Sequence, residues 1–193
     1  MSDTTEPGTA RLPALANAEL PEDLRSILAR WPYRLHRTLA HAPESLKAFM
    51  PWGEHILRNN SIPPRAREIV ILRVAWNARA AYEWGLHAWV ARQVGMTDAE
   101  IAAIPGDATT GPWSTAEAAL ICAVDELMER HRITDATWGA LAAHFAPKQL
   151  VDLILLVGNF TMIAWVLNGL EIPPEPGVDP LPDHPAGGES AWT

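Results

Sequence analysis

The chain has 193 residues, 48% of them apolar and 20% charged, which is enough for one domain with a sizeable core. A formal net charge of -8, with no basic tail or stripe, excludes bulk phosphate binding, so no nucleic-acid partner is expected. Cys122 is the single cysteine, which excludes an intrachain disulfide or dithiol relay, and its setting AALICAV reads as that of a small buried apolar residue. The opening MSDTTEPGTARLPA lacks a basic region followed by an apolar one, so no secretory signal is read and a cytoplasmic location is expected.

In chain order, residues 1–18 carry Thr, Ala, Pro and Gly without period and are expected to form an extended or flexible arm. PEDLRSILARW and APESLKAFMPWGEHILRN follow, with apolar residues at spacings of three and four and a proline plus an acid at each start, which predicts two amphipathic helices. The helical pattern from Pro64 to Gly95 is too long for one uncapped helix, so a break is placed near Asn77 and Gly95 is read as the C-terminal cap. Thr97 with Glu100 and Ser114 with Glu117 each have capping-box spacing and open two further helices. TDATWGALAAHF reads as a short helix. Leu150 to Leu170 has the length of a membrane span, but Asp152, Asn159 and Asn168 interrupt it, so it is read as a helix buried on nearly all sides in a core or subunit interface, with no membrane partner. The last 22 residues, 172–193, hold six prolines and are expected to form an extended tail. No strand-like alternation bounded by turns occurs, so the fold class is all-α, with a single helical domain over 19–171.

Within AAYEWGLH, Glu83 and His87 stand four apart on an otherwise apolar stretch and share one helix face. A surface ion pair, worth about 0.3 to 0.5 kcal/mol, is the simpler reading of the spacing alone. The other reading is a partly desolvated acid and base able to exchange protons near neutral pH. Two ligands at this spacing resemble half a metal site, but no second pair follows, so no metal is expected. From Arg58 to Arg92 there are six arginines and two acids, a local excess of positive charge able to hold an anion, or a set of solvated helix faces. Trp76, Trp84 and Trp89 crowd the same segment and could wall a pocket for a planar ring or pack a core. Tyr82 is read either as a hydrogen-bonding phenol at the site edge or as an interface residue.

The segment PPRAREIVILRVAWNARAAYEWGLHAWVARQVGMTDAEIAAI, Pro63 to Ile104, resembles the signature of the carboxymuconolactone decarboxylase family, which includes the alkylhydroperoxidase D proteins. The resemblance extends more loosely from about Tyr33 to Pro174. It implies an all-helical domain that assembles into dimers, trimers or hexamers, with the active site around a broken helix pair. In the peroxidase branch the working residues are a glutamate at the RE step, a Cys-x-x-Cys pair and a histidine four residues beyond. Glu68 and His87 match the first and last, while Ala80 and Glu83 stand at the cysteine positions, so thiol peroxidase chemistry lacks its sulfur. The decarboxylase branch also lacks the cysteines. Resemblance to it implies a cofactor-independent lyase or isomerase acting on a small organic acid or lactone. His87 would then be general acid or base, Glu83 its partner, and Glu68 the group that orients the histidine or carries the second proton. Arg73 or Arg79 would bind an anion, with Tyr82, Trp76 and Trp84 at the pocket. Two rival expectations stand beside it: a peroxidase using Cys122, and an oligomeric binding protein without catalysis.

Overall fold

A computed structural model describes residues 10–183, and among them the protein is all-α, with no strand. A 3-10 turn at Glu22–Leu24 leads into α1 (Arg25–Arg30), followed by α2 (Arg34–Leu39) and α3 (Pro43–Glu54). Pro51 lies inside α3 and cannot donate to the carbonyl one turn back. Just beyond it, His55–Asn59 winds as a π-turn before the chain leaves the helix at Asn60.

The centre of the molecule is α4 (Pro64–Asn77). Every residue from Glu68 to Trp76 on it is buried, because α5 (Ala81–Gln93), α7 (Thr115–Arg130) and α9 (Pro147–Gly169) pack around it. The break anticipated near Asn77 is there: Arg79 takes a left-handed conformation with φ 55°, and the chain restarts as α5 two residues later. Gly95, with φ 87°, follows the end of α5, where a residue without Cβ carries that backbone freely. Both capping boxes form as spaced in the sequence, Thr97 with Glu100 opening α6 (Asp98–Ala103) and Ser114 with Glu117 opening α7. The helix α8 (Asp135–Ala142) connects α7 to α9.

Two large apolar clusters fill the interior. One lies between α4, α7, α8 and α9 around Val70, Leu120, Leu153 and Phe160, and the other joins α4, α5 and α6 around Leu72, Trp84, Ala88 and Ile101. Of the two settings expected for α9, a core or a subunit interface, the single chain supplies a core to one face only. The helix buries Leu153, Leu156, Val157, Phe160 and Leu167 on one face but exposes Val151, Ile154, Leu155, Met162 and Trp165, the last at 70%. A core is present on only one side of it.

The described parts of both chain ends are extended and tied down. Arg11 donates from its backbone to the Leu170 carbonyl and pairs with Glu171. Residues 172–183 run as a strap across α5. Arg34 Nη1 donates to the Pro174 carbonyl (2.7 Å), Arg92 Nη2 pairs with Asp179 (2.5 Å), and Arg79 Nη2 donates to the Pro182 carbonyl (3.1 Å). The strap lies so close over Gly85 that a Cβ there would meet Val178 Cγ2 at 2.5 Å.

Candidate functional site

Because α4 and α5 are antiparallel neighbours joined by a tight break, the buried face of α5 comes against Glu68. His87 Nδ1 and Glu68 Oε2 are 2.7 Å apart, both side chains almost wholly buried. Arg67 Nε reaches the other carboxylate oxygen, Oε1, at 3.2 Å. An ionised carboxylate only accepts, so the hydrogen sits on His87 Nδ1 and donates to Glu68, which leaves Nε2 with the lone pair. The described residues give Nε2 no hydrogen bond. Phe160 of α9 holds the ring edge-on, with centroids 5.0 Å apart at 88°.

Glu83 lies one turn before His87 on the same face, and it is 2% exposed. Neither carboxyl oxygen has a hydrogen-bond partner, and both are closed off from water. Burial alone pushes this carboxyl well above its usual range, which outweighs the preference of a helix's first turn for an anion. Burial of both oxygens without a partner therefore favours the protonated, neutral form of Glu83. The surface ion pair that i, i+4 spacing permits is not formed: Glu83 and His87 are inside, and each faces a different electrostatic setting.

A cavity opens beside these residues, bounded by α2, α3, α5 and α9, and gives about 80 Å³ to the centres of water-sized molecules. Its apolar walls include Trp31, Phe49, Met50, Leu86, Phe160 and Ile163, and its polar lining includes Tyr33, His36, Glu54, Tyr82, Glu83, His87 and Asn159. Trp52 Nε1 donates to Asn159 Oδ1 (2.9 Å), which fixes the amide. The Tyr82 hydroxyl donates to Glu175 of the strap at 2.6 Å, and burial together with that carboxylate pushes its pKa up, so the phenol keeps its proton.

Of the residues expected at a site, Glu68, Glu83, His87 and Tyr82 are brought together. The other four lie elsewhere. Arg73 is doubly bonded to Asp125 (2.7 Å at both Nε and Nη2) and also donates to the carbonyls of Ile104 and Gly106, so its guanidinium ties α4 to α7 and the loop after α6. Arg79 stacks over Trp76 at 4.6 Å and holds the strap. Trp76 and Trp84 pack in the α4–α5–α6 core. Neither Arg73 nor Arg79, the expected anion contacts, lines this cavity, whose lining contains no arginine or lysine among the described residues. Cys122 sits on α7, packed against the α4–α5–α6 core and not in the cavity lining, and burial with Asp125 and Glu126 nearby raises its thiol pKa. Among the described residues no three His, Cys, Asp or Glu side chains are grouped to hold a metal ion.

Sequence reading missed His36, Asn159 and Phe160. His36 lies on α2, a six-residue helix too short to show periodicity, and Asn159 and Phe160 lie in the apolar run of α9, where polar residues signal only that the helix is not a membrane span.

Residues 43–126 match the carboxymuconolactone decarboxylase family. No curated protein matches the sequence. Among solved structures, the chain is similar to an uncharacterized peroxidase-related protein with an alkylhydroperoxidase AhpD core from Ralstonia eutropha JMP134, with a TM-score of 0.76 at 17% identity over 88% of this chain and 94% of that one. An uncharacterized peroxidase-related protein from Silicibacter sp. TM1040 gives 0.75 at 17% identity over 91% and 96%. The debrominase Bmp8 in complex with 2,3,4-tribromopyrrole gives 0.74 at 12% identity over 89% and 95%. These likenesses establish an AhpD-like fold, and the matched segment 43–126 takes in Pro63 to Ile104, where the family resemblance was read.

Proposed function

We propose that this protein is a cofactor-independent enzyme of the lyase or isomerase type that moves a proton on a small uncharged ring compound such as a lactone. The observation that carries the reading is the pairing, on one cavity wall, of an imidazole oriented by Glu68 with a neutral carboxylic acid at Glu83. Two titratable groups whose surroundings push them toward opposite roles are the usual arrangement of an acid and a base.

In the reaction, His87 Nε2 takes a proton from a carbon next to the substrate carbonyl. The electron pair of that C–H bond moves onto the carbonyl oxygen, which receives the Glu83 proton. Returning the imidazolium proton to a different carbon, and the enol proton to Glu83, completes an isomerisation and resets both groups. Glu68 stabilises the imidazolium formed on the way, and the apolar walls exclude water from the enol. A carboxylated substrate fits less well, because the cavity lining offers no arginine or lysine to a second charge.

Thiol peroxidase chemistry would need Cys122 at the cavity, and it is not there. The relative that binds a small halogenated ring supports the size class of ligand, not the reaction. We place the enzyme in the cytoplasm as a homo-oligomer in which the exposed apolar stripe of α9, Val151 to Trp165, meets a second copy; sedimentation of a single monomer-sized species would refute that assembly.

The test is proton exchange. Incubated in D2O with γ-butyrolactone and its unsaturated analogues, the wild type should wash deuterium into the position next to the carbonyl, followed by NMR. The His87→Gln variant should be slower by about 10² to 10⁴. Equal exchange by wild type and variant would sink the assignment.

A further inference from the structure

Five buried side-chain polar atoms among the described residues have no hydrogen-bond partner: His36 Nδ1, Thr38 Oγ1, both oxygens of Glu83 and Trp113 Nε1. Three of the five belong to residues lining the one cavity. Unmet polar atoms are rare in a folded interior, and their concentration here points to a molecule that meets them. Glu83 already has a role in the proposed chemistry. His36 has none.

His36 reaches the cavity from a different element than the acid and base do, from α2 rather than α5. Its ring is held between two aromatic neighbours, Trp31 at 5.7 Å and Tyr33 at 5.9 Å, so its orientation is fixed without any hydrogen bond. Burial lowers its pKa to about 4, against the opposing pull of Glu175, and the ring is therefore neutral at physiological pH, with one nitrogen donating and the other accepting. Of the other polar groups of the lining, Glu54 is engaged with Arg30 at 2.5 Å, Tyr82 with Glu175, and Asn159 Oδ1 with Trp52.

We propose that His36 is a specificity-determining residue of the cavity, a hydrogen-bonding contact for a second polar group of the substrate, remote from the carbonyl that Glu83 and His87 handle. The preferred ligand is then a small uncharged ring bearing two polar groups, a hydroxylated lactone being the simplest. A hydroxyl both donates and accepts, so it satisfies either tautomer of a neutral imidazole. Placing an apolar atom there instead would leave His36 unpaired, which is how a site built to bond a hydroxyl rejects its absence.

This inference rests on the proton-transfer reading of the same cavity, and the experiment separates the two. Affinities of γ-butyrolactone and γ-hydroxymethyl-γ-butyrolactone, whose hydroxyl lies across the ring from the carbonyl, are measured by NMR chemical-shift titration on wild type, His36→Phe and His36→Asn, with thermal unfolding to check that each folds. Wild type should prefer the hydroxylated lactone about tenfold. His36→Phe keeps the ring packing and should lose the preference to within twofold; His36→Asn, which returns a polar group near Nδ1, should restore part of it. Equal affinities in wild type, or a preference that survives in His36→Phe, would overturn the role of His36 and leave the deuterium exchange by His87 standing. Absence of exchange by wild type with every lactone would overturn the parent reading, and this inference with it.

Discussion

Replacing Glu83 with glutamine tests the neutral acid directly. Gln keeps the shape and removes the proton, so the two proteins differ only in whether position 83 titrates. In the unfolded chain the glutamate ionises near its ordinary value of 4.5, while in the fold burial without a partner holds it protonated well above that. Above pH 4.5 the folded wild type therefore binds one more proton than the unfolded chain, and its stability falls as pH rises. The slope is up to about 1.4 kcal/mol per pH unit for one proton, and it lasts until the pH passes the folded pKa of Glu83. Other carboxylates, such as Asp152 and Glu100, whose pKa values are lowered by their partners, work in the opposite direction but act equally in both proteins. The difference between the two stability curves isolates position 83. Urea unfolding of wild type and Glu83→Gln at half-unit steps from pH 4 to 8 should give near-equal stabilities at the acid end and a gap in favour of Gln that widens with pH. Parallel curves over that whole range would mean that Glu83 ionises normally in the fold and that the neutral-acid argument is wrong.

Two further outcomes follow from the surrounding structure. Arg73→Ala removes the bidentate partner of Asp125 and strands the buried Ile104 carbonyl, but Asp125 is 35% exposed and water recovers part of the loss; a destabilisation of about 2 to 3 kcal/mol is expected by chemical denaturation, with deuterium exchange on lactones within twofold of wild type below the transition. Gly85→Ala puts a Cβ 2.5 Å from Val178 Cγ2 and 2.7 Å from the Asp179 carbonyl, so the strap must move; amides of residues 177–181 should exchange hydrogen faster by mass spectrometry while those of α4 keep their protection.

Much of this architecture was legible because it is local. Capping boxes at Thr97 and Ser114, the helix break beside Asn77 and the glycine after α5 are short-range signals, and each appears where its spacing put it. Glu83 and His87 were legible as a pair for the same reason. Whether they faced water or the core was not, since that depends on α9 (Pro147–Gly169) and the strap (172–183), far along the chain. The arginines show the limit most plainly. An excess of positive charge from Arg58 to Arg92 suggested an anion site, yet Arg65 is taken by Glu100 and Glu117, Arg73 by Asp125, and Arg92 by Asp98 and Asp179. Four of those acids lie between residues 98 and 125, outside the window in which the charges were counted, so local charge said little about the field inside the cavity.

The case that this site exists for chemistry rests finally on what it costs. A buried carboxyl with two unmet oxygens is worse for the fold than an apolar side chain of similar length, because each orphaned polar group forgoes about 1 to 3 kcal/mol. Glu83 faces Leu86 and Phe160 across a mostly apolar lining, and a thioether fits such surroundings without needing a partner. Glu83→Met should therefore raise stability at pH 7 by about 1 to 3 kcal/mol in urea unfolding, and should abolish deuterium exchange into lactones at the same time. A loss of stability would place Glu83 among the structural supports of α5 and remove the ground for assigning it a proton. Gain of stability with loss of exchange would mean that the fold carries Glu83 at its own expense for the sake of the reaction.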